Sequence, residues 1–520
     1  MPVFQQGALN SNALIVPDLY VDIVPPQNLV LNGVPTNIIG IVGTAPWGPV
    51  GRPVIIATAS DYQSTFGPVI ARRYDMGTQL STAVQQGAQD FRCVRVTDGS
   101  DLVAQSSPAG STVVFSARYS GSLGNQITVS LQPGSKAGTW RLLVALPGGR
   151  PELFDNLAGA GAAFWQNLAA AVNLGQGPQR GRSGLVTVDP GGATAVPAPF
   201  SLVLGTSVAG TDGTDGVTVQ RLLGRDGPDA LGMYALRGQK CGIGLISDAF
   251  DPAYWSEQAA FGLSEGVYMI LTGPPGDTIS DAIAAKHSAG VDTYAAKLMF
   301  GDWLWWSDPA NGIIRLVSPQ GFTAGRLANL SPEQSSLNKP LYGILGSQRA
   351  GDSETGQSLS YSAASLSALL SAGIDVICTP QPSGNFWGVR GGRNTSTDLA
   401  TKGDNYTRLT NYISATLSAG MGRYVGRVIN ATLLQQIRST LLSFLQNMLN
   451  QGLLGSVSGA LPFSVICDLS NNPPTRTGLG YVQADVQVQY QAINEIFLVN
   501  LEGGQTVTVA AQTLPSGRPG

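Results

Sequence analysis

The sequence predicts a multidomain chain of α/β and β character: an α/β body, a mostly β domain inserted into it, a C-terminal α+β domain, and extended β-arms at both ends. Three observations predict it. From Val217 to Ile377, strand-like apolar runs alternate with helix-like stretches, the spacing of a mostly parallel sheet covered by helices. At Gly99 the composition shifts, and residues 100–210 are rich in Ser, Thr, Gly, Ala and Val. Near the end, a long amphipathic helix and an alternating strand follow each other.

Composition bounds the function. The 520 residues suffice for several domains. Charged residues make up 12% of the chain, about half the usual share. So weakly charged a surface suits a subunit of a large assembly better than a free monomer. A net charge of −3 argues against a general nucleic-acid binder. The first basic residue is Arg52, so the N-terminus lacks the positive region of a secretory signal. No apolar run is long enough to span a bilayer. Cys93, Cys241, Cys378 and Cys467 lie far apart in apolar contexts and read as buried free thiols of a protein made in a reducing cytoplasm. The single His287 leaves no site that needs two histidines.

In chain order, residues 1–24 form an N-terminal arm. Ala13 to Val24 is strand-like, and Pro17, which cannot donate a ladder hydrogen bond, favours a sheet edge. Its apolar members Leu14, Val16, Leu19, Val21 and Ile23 need a sheet to join, in this chain or in a neighbour. Residues 25–99 are the first part of the α/β core. Strands are expected at Ile38–Val42, Val54–Thr58 and Phe91–Val96, with a helix near 77–89. The inserted domain, 100–210, carries strands at 112–118, 126–131 and 140–146. The runs Ala158–Ala163 and Pro190–Ala193 read as loops.

Residues 211–378 complete the α/β domain. Strands are expected at 241–246, 267–271, 296–300, 313–317 and 374–378, and helices at 252–263, 278–289, 319–329 and 361–372. Trp303, Trp305 and Trp306 cluster in a loop or strand end, where packing or a subunit contact is the expected role. In the C-terminal domain, 379–502, a helix is expected over 429–452, with Leu433, Leu434, Ile437, Leu441, Leu445 and Met448 on one face. Its other face shows Gln435, Gln436, Ser439, Ser443, Gln446, Asn447 and Gln451, with the single charge Arg438, as suits a surface covered by another protein. A strand is expected at 481–490, where Val482, Ala484, Val486, Val488 and Tyr490 alternate with polar residues. After Gly503-Gly504 comes a C-terminal arm, 503–520, whose Thr506-Val507-Thr508-Val509 is β-branched throughout.

Chemical motifs are few. Gly262-Leu263-Ser264-Glu265-Gly266 matches a nucleophile elbow, with Asp277 or Asp281 and then His287 in hydrolase order. The elbow needs a strand before the serine and a helix after it, and here the order is reversed. The region reads as the C-terminal turn of a helix. Gly420 to Gly426 is one residue too long for a dinucleotide loop, and no Gly-Lys-Ser/Thr phosphate loop occurs. Thr211 to Gly216 lacks the ligand spacing of a calcium loop. No catalytic, cofactor or metal site is expected. One electrostatic feature stands out. Arg390, Arg393, Lys402, Arg408, Arg423, Arg427 and Arg438 face only Asp398 and Asp404 between Trp387 and Thr440. Such a segment is either scattered solvated charge or a basic surface that docks an acidic partner.

Pro17-Asp18-Leu19-Tyr20-Val21, Gly43-Thr44-Ala45, Pro319 with Gly321, Trp387-Gly388 and Glu495-Ile496-Phe497 follow one another along the chain, and this order of short motifs resembles the contractile tail sheath proteins of bacteriophages and R-type pyocins, most closely the Mu-like phage sheaths. Pro17-Asp18-Leu19-Tyr20-Val21 is similar to the family's Pro-Gly-Val-Tyr-Val arm, with Asp18 in place of Gly. Gly43-Thr44-Ala45, Gly48-Pro49, Pro53 and Phe66-Gly67 follow its early signature, and Ala117, Tyr119, Gly121 and Gly124-Asn125 its inserted domain. Pro319, Gly321 and Ala324-Gly325, then Gly373-Ile374-Asp375, Trp387-Gly388 with Arg390, Phe444-Leu445 and Glu495-Ile496-Phe497 continue the series. Gly391 stands where Thr is frequent, and Ile493 where Pro is usual.

The resemblance implies a subtilisin-like three-layer α/β domain without catalytic residues and an outward-facing inserted domain. It also implies a C-terminal domain that faces the tail tube. Subunits would form stacked hexameric rings, a homo-oligomeric helical sheath around the tube protein, joined to a baseplate and to a terminator or neck protein. Contraction would drive the tube through a target envelope. Neither nucleic acid nor membrane would be touched directly, and the protein would reside in the virion tail after assembly in a bacterial cytoplasm. Arm residues Leu14, Val16, Leu19, Val21, Ile23, Val507 and Val509 would pair with an acceptor sheet carrying Val482, Val486, Val488, Phe497 and Val499. Arg390, Arg393, Lys402, Arg408, Arg423 and Arg427 would face the tube or a neighbouring subunit. A non-contractile tail or capsid protein would share the low charge and the arms. A hydrolase would require Ser264 and His287 to meet.

Overall fold

A computed structural model describes residues 3–6, 20–23, 31, 33–349 and 360–501. At the N-terminus, β1 (Val3–Gln6) and β2 (Tyr20–Ile23) pair in parallel, Val3 opposite Tyr20. Among the described residues these two strands join no other sheet.

The body begins with β3 (Ile39–Gly43) and β4 (Pro53–Ile56). Helix α1 (Ala59–Phe66) was not expected from sequence; it starts with a capping box in which Thr58 and Asp61 satisfy each other's backbone N–H groups. Helix α2 (Met76–Gln85), capped by Asp75, and β5 (Phe91–Arg95) follow, close to their expected places.

The chain then leaves the sheet. Strands β6 (Val103–Ser106), β7 (Val114–Ser120), β8 (Thr128–Pro133), β9 (Trp140–Ala145) and β10 (Glu152–Leu157) precede α3 (Gly161–Leu174), with β11 (Val186–Asp189) and β12 (Phe200–Val203) after it. They make two sheets, β10-β9-β8-β12 and β11-β7-β6, closed over one apolar core. Here one expectation is corrected. Gly161, Ala162 and Ala163, read as part of a loop, are the first turn of α3. Phe164, Trp165, Leu168, Ala171 and Val172 are buried along one side of that helix, and this apolar stripe outweighs the small residues before it.

The root of the insertion is fastened. Buried Arg95, at the end of β5, donates to the carbonyls of Gly48 at 2.8 Å, Ser120 at 2.7 Å and Asp212 at 3.2 Å. It thereby ties the body loop to the outgoing and the returning chain. Trp47 of the body enters the core of the insertion and meets the Tyr119 ring edge-on.

After a short helix α4 (Val219–Leu223), the body resumes with β13 (Ile243–Ile246), α5 (Trp255–Glu265), β14 (Tyr268–Thr272), α6 (Ile279–Ala289) and β15 (Ala296–Met299). A separate antiparallel sheet holds β16 (Leu304–Asp308), β17 (Ile313–Val317) and β18 (Ile344–Ser347), with α7 (Gln320–Ala328) between the last two. Trp303 and Trp306 are buried in packing positions there, and Trp305 is half-buried. Helix α8 (Ala363–Ser371), β19 (Ile374–Asp375), β20 (Ile377–Cys378) and β21 (Gly388–Val389) complete this part.

The main sheet has seven strands in the order β19-β15-β14-β13-β3-β5-β4, parallel except for β4. Its side chains divide strictly by period two. Val42, Val94, Ile246, Met269 and Leu271 face α5, α6 and α8. Ile41, Cys93, Leu245, Tyr268 and Ile270 face α1, α2 and α7. Both faces are covered, as a parallel sheet requires. The four cysteines are buried and unpaired.

The C-terminal domain follows. Helices α9 (Asp404–Met421) and α10 (Ala431–Asn450) pack with a two-stranded antiparallel sheet, β22 (Phe463–Ile466) with β23 (Asp485–Val488). The expected strand at 481–490 is shortened to its middle, although Ala484, Val486, Val488 and Tyr490 pack against the domain core at the expected spacing of two.

A candidate assembly surface on the C-terminal domain

The domain is closed on one side and open on the other. Its core is built by Leu433, Leu434, Ile437, Leu441, Phe444, Leu445 and Met448 of α10 against Leu409 and Ile413 of α9, with Phe463 and Val465 of β22. The polar face of α10 is exposed as expected, from Gln435 to Gln451. The sheet ends there. Among the described residues no third strand joins β22 or β23, and the Val465 carbonyl is met from the side by Arg438 Nε at 3.3 Å. Residues 491–501 run on without a ladder. In that run Ile496 is 85% exposed, Phe497 82%, Leu498 78%, Val499 66% and Leu501 91%. Five large apolar side chains in water make this run an uncovered apolar patch among the described residues. Phe497 and Val499, expected on an acceptor sheet, thus lie in a stretch that, among the described residues, pairs with no strand.

Of the expected acceptor residues, Val486 and Val488 are half-buried, while Val482, Phe497 and Val499 are exposed. Of the expected arm residues, Leu14, Val16, Leu19, Val507 and Val509 lie outside the described residues. Val21 and Ile23 belong to β2.

The basic residues separate into two groups. Arg408 is buried, with its guanidinium on the carbonyls of Leu330 at 2.8 Å and Ser331 at 2.9 Å, and burial pushes it down to about 10. It holds the body to α9 and cannot face outward, which corrects that expectation. Lys402 and Arg393 converge on Glu495 at 2.8 and 3.3 Å, and Asn405 Nδ2 donates to the Gln491 carbonyl at 3.0 Å. These contacts pin the start of the bare run to the body. Sequence placed Glu495 only as a family position; its pairing with residues about ninety positions upstream has no local signal. Arg390 is half-buried. Arg423 and Arg427 lie on the turn between α9 and α10 beside exposed Val425 and Val428, and the Arg427 guanidinium stacks over Tyr424 at 5.4 Å. No Asp or Glu occurs in residues 405–467, so α9 after its first residue, the turn and α10 carry only positive charge.

The hydrolase reading fails on geometry. Ser264 lies in the last turn of α5, where its hydroxyl donates to the Phe261 carbonyl at 3.0 Å, and Gly266 ends the helix in the left-handed region. In open α/β sheets, ligands enter at the carboxyl ends of the strands where the strand order reverses, here between β3 and β13. Side chains of the protein itself cross that crevice. Gln320 Nε2 donates to the carbonyls of Ile246 and Ile270 at 3.1 and 2.8 Å, and its Oε1 accepts from Asp248 N. Gln79 Nε2 adds a second crossing by donating to Asp248 and Ser318, each at 2.9 Å.

No family model matches the chain. The fold, however, has solved counterparts. It superposes on the sheath tail protein of Listeria innocua with a TM-score of 0.58 at 14% identity, covering 85% of this chain and 90% of that one. It also superposes on the sheath tail protein of Desulfitobacterium hafniense with a TM-score of 0.56 at 16% identity, covering 86% and 93%. This is the fold of the tail sheath proteins. The sheath of an extracellular contractile injection system in its contracted state matches at a TM-score of 0.52 and 10% identity, over 94% of this chain and 98% of that chain. By sequence, the chain is 24% identical over 500 residues to the tail sheath protein of Burkholderia phage BcepMu, spanning 91% of this chain and 95% of the relative. The sheath resemblance drawn from short motifs thus holds over nearly the whole length, in sequence and in fold.

Proposed function

We propose that this chain is the repeating structural subunit of a contractile tail sheath. It polymerises as stacked hexameric rings around a tube protein, between a baseplate and a terminator, and shortens to drive the tube through a target envelope. It works in the virion tail after assembly in a bacterial cytoplasm, and it performs no catalysis. The observation that carries this reading is the bare apolar run at 496–501 beside a two-stranded sheet with open edges.

Strand exchange between subunits would complete that sheet. The arms 1–24 and 503–520 are the donors, and Val482, Val486, Val488, Phe497 and Val499 belong to the acceptor. About six backbone hydrogen bonds at roughly 1 kcal/mol each barely offset an ordering cost of roughly 1–2 kcal/mol per residue. Burial of Ile496, Phe497, Leu498 and Val499 must supply the difference. Several such links per subunit give avidity, so rings can rotate past one another while the mesh stays joined. The pair β1 and β2 supports this, since an isolated two-stranded sheet is marginal in water. Arg423, whose Nε donates to the Gly420 carbonyl at 2.7 Å, and Arg427 have no acidic partner among the described residues and are the charges offered to the tube or a neighbour, and the inserted domain, 100–210, decorates the outside.

Deleting residues 2–22 should give a folded monomer that does not polymerise, read by circular dichroism and electron microscopy. Micrographs of the full chain should show two helical states, long and short. A single fixed helix would make it a non-contractile structural protein instead, and polymers of normal length from the deletion would remove the arm from the mechanism.

A further inference from the structure

Three ionisable side chains far apart in sequence meet in the dry interior where the α/β body joins α9. Lys297 lies on β15, Asp375 on β19, and Asp404 opens α9; all three side chains are 0% exposed. The ammonium of Lys297 has three protons and three acceptors. It donates to Asp375 Oδ2 at 2.7 Å, to Asp404 Oδ1 at 2.9 Å and to the Arg393 carbonyl at 2.9 Å.

Both carboxylates are satisfied in turn. Asp375 accepts from the N–H groups of Gly391 at 2.7 Å, Val376 at 2.9 Å and Arg393 at 3.1 Å. Asp404 accepts from the Tyr268 hydroxyl at 2.6 Å and from the N–H and hydroxyl of Ser336. Burial alone would lower Lys297, but the two carboxylates outweigh it and raise it. Burial would raise Asp404, yet Lys297, Ser336 and Tyr268 hold it low. Lys297 and Asp404 thus keep their charges inside the protein.

We propose that Lys297, Asp375 and Asp404 form a rigid joint that fixes the angle between the α/β body and the C-terminal domain. A fully satisfied buried ion network has one geometry, whereas apolar surfaces can slide over one another. Neighbouring contacts reinforce it: Lys286 Nζ donates to the Thr395 carbonyl at 2.8 Å, and Thr407 Oγ1 to that of Tyr294 at 2.7 Å. Farther along, α9 leaves the body. A cleft of about 520 Å³ separates Asn411, Ser414, Ala415 and Ser418 from Leu263 and Val267. Helix α9 is thus held at its first turns and crossed once more by the incoming chain, where Val34 N–H donates to Thr416 Oγ1 at 3.3 Å. The use of the joint rests on the sheath reading: a subunit that passes load between neighbours needs its lattice domain fixed to its body. The geometry of the joint does not depend on that reading.

The test uses the full chain with spin labels on Ala284→Cys of α6 and Gln446→Cys of α10, both exposed. Electron–electron distance distributions are compared for the parent and for Lys297→Met with Asp404→Asn. This double variant removes the cation and the Asp404 charge, while Asp375 keeps its three backbone N–H donors. A narrow distribution in the parent should broaden and shift in the variant, and amides in the first turns of α9 should exchange roughly tenfold faster. Those of α2 should not change. If the double variant does not fold, Tyr268→Phe, which keeps the ring and removes one donor to Asp404, is measured by the same two readouts. Unchanged distances and exchange in a folded variant would overturn the joint. Polymers of the variant with the parent's twist and rise would remove its role in the lattice. Failure of the parent itself to polymerise would instead count against the sheath reading and leave the spin-label result standing.

Discussion

The seven-stranded sheet of the body and the two-stranded sheet of the C-terminal domain are made of the same kind of residue but are finished differently. In the body, Ile39, Ile41, Phe91, Ile243 and Ile270 are at 0% exposure, and helices cover both faces. In the C-terminal domain, Ile496, Phe497, Leu498 and Val499 are chemically equivalent and stand in water. The first sheet contains its own solution to the burial problem. The second is a two-stranded sheet that, among the described residues, is followed by an apolar run with no cover.

The largest predicted effect breaks this comparison at its strongest contrast. Phe91→Ala should cost about 3–5 kcal/mol of body stability because it empties a fully buried site. Phe497→Ala should leave monomer stability within about 0.5 kcal/mol and abolish polymerisation. Denaturant unfolding and electron microscopy of both variants separate the two sheets. Equal destabilisation would mean that residue 497 packs within its own subunit.

Next in size is the insertion. A Gly/Ser linker in place of residues 100–210 exposes Trp47 and takes the Ser120 carbonyl from buried Arg95. The body should lose roughly 1–3 kcal/mol for the unmet donor and gain an exposed indole. Replacing Trp47 by Ser in the same deletion should recover solubility, read as soluble yield. A bare deletion as soluble and stable as the parent would show that the root is not shared.

The smallest effect concerns acidity inside the body, far from either edge. Burial raises Asp75, at the start of α2, to about 7. An aspartate in the unfolded chain titrates near 3.9. The folded state therefore holds its proton longer, and the stability associated with it is fully present below pH ~4 and is lost as pH rises through ~7. Asp75→Asn should flatten that decline by roughly 1–3 kcal/mol, measured as denaturant midpoints from pH 5 to 8. A steeper decline in the variant would reverse the sign of the argument.

Much of the body was legible because its strands and helices alternate with strong, uninterrupted apolar runs. The strand read at 241–246 is Ile243–Ile246, and the helix read at 278–289 is Ile279–Ala289. The errors share a cause. Helix α3 was hidden behind the Ala and Gly of residues 158–163, although Phe164, Leu168 and Val172 carried its period. Helix α1 is short, and its signal is a cap more than a stripe. At the candidate surface, sequence named Phe497, Val499 and the basic segment but could not say which charges were already used. The pairing of Arg408 with two carbonyls and of Lys402 with Glu495 depends on contacts made 77 to 93 residues away. The network of Lys297, Asp375 and Asp404 is invisible for the same reason.

The four buried cysteines have a practical consequence. Burial raises Cys93 far out of the ordinary thiol range, Cys241 to about 12 and Cys378 to about 11, and raises Cys467 as well. Since the thiolate is the reactive form, none will react while the fold is closed. Cys93 and Cys241 sit in the body and Cys467 in the C-terminal core. A pulse of alkylating reagent followed by peptide mass mapping would therefore time the opening of each half separately. The native molecule already carries its own set of clocks.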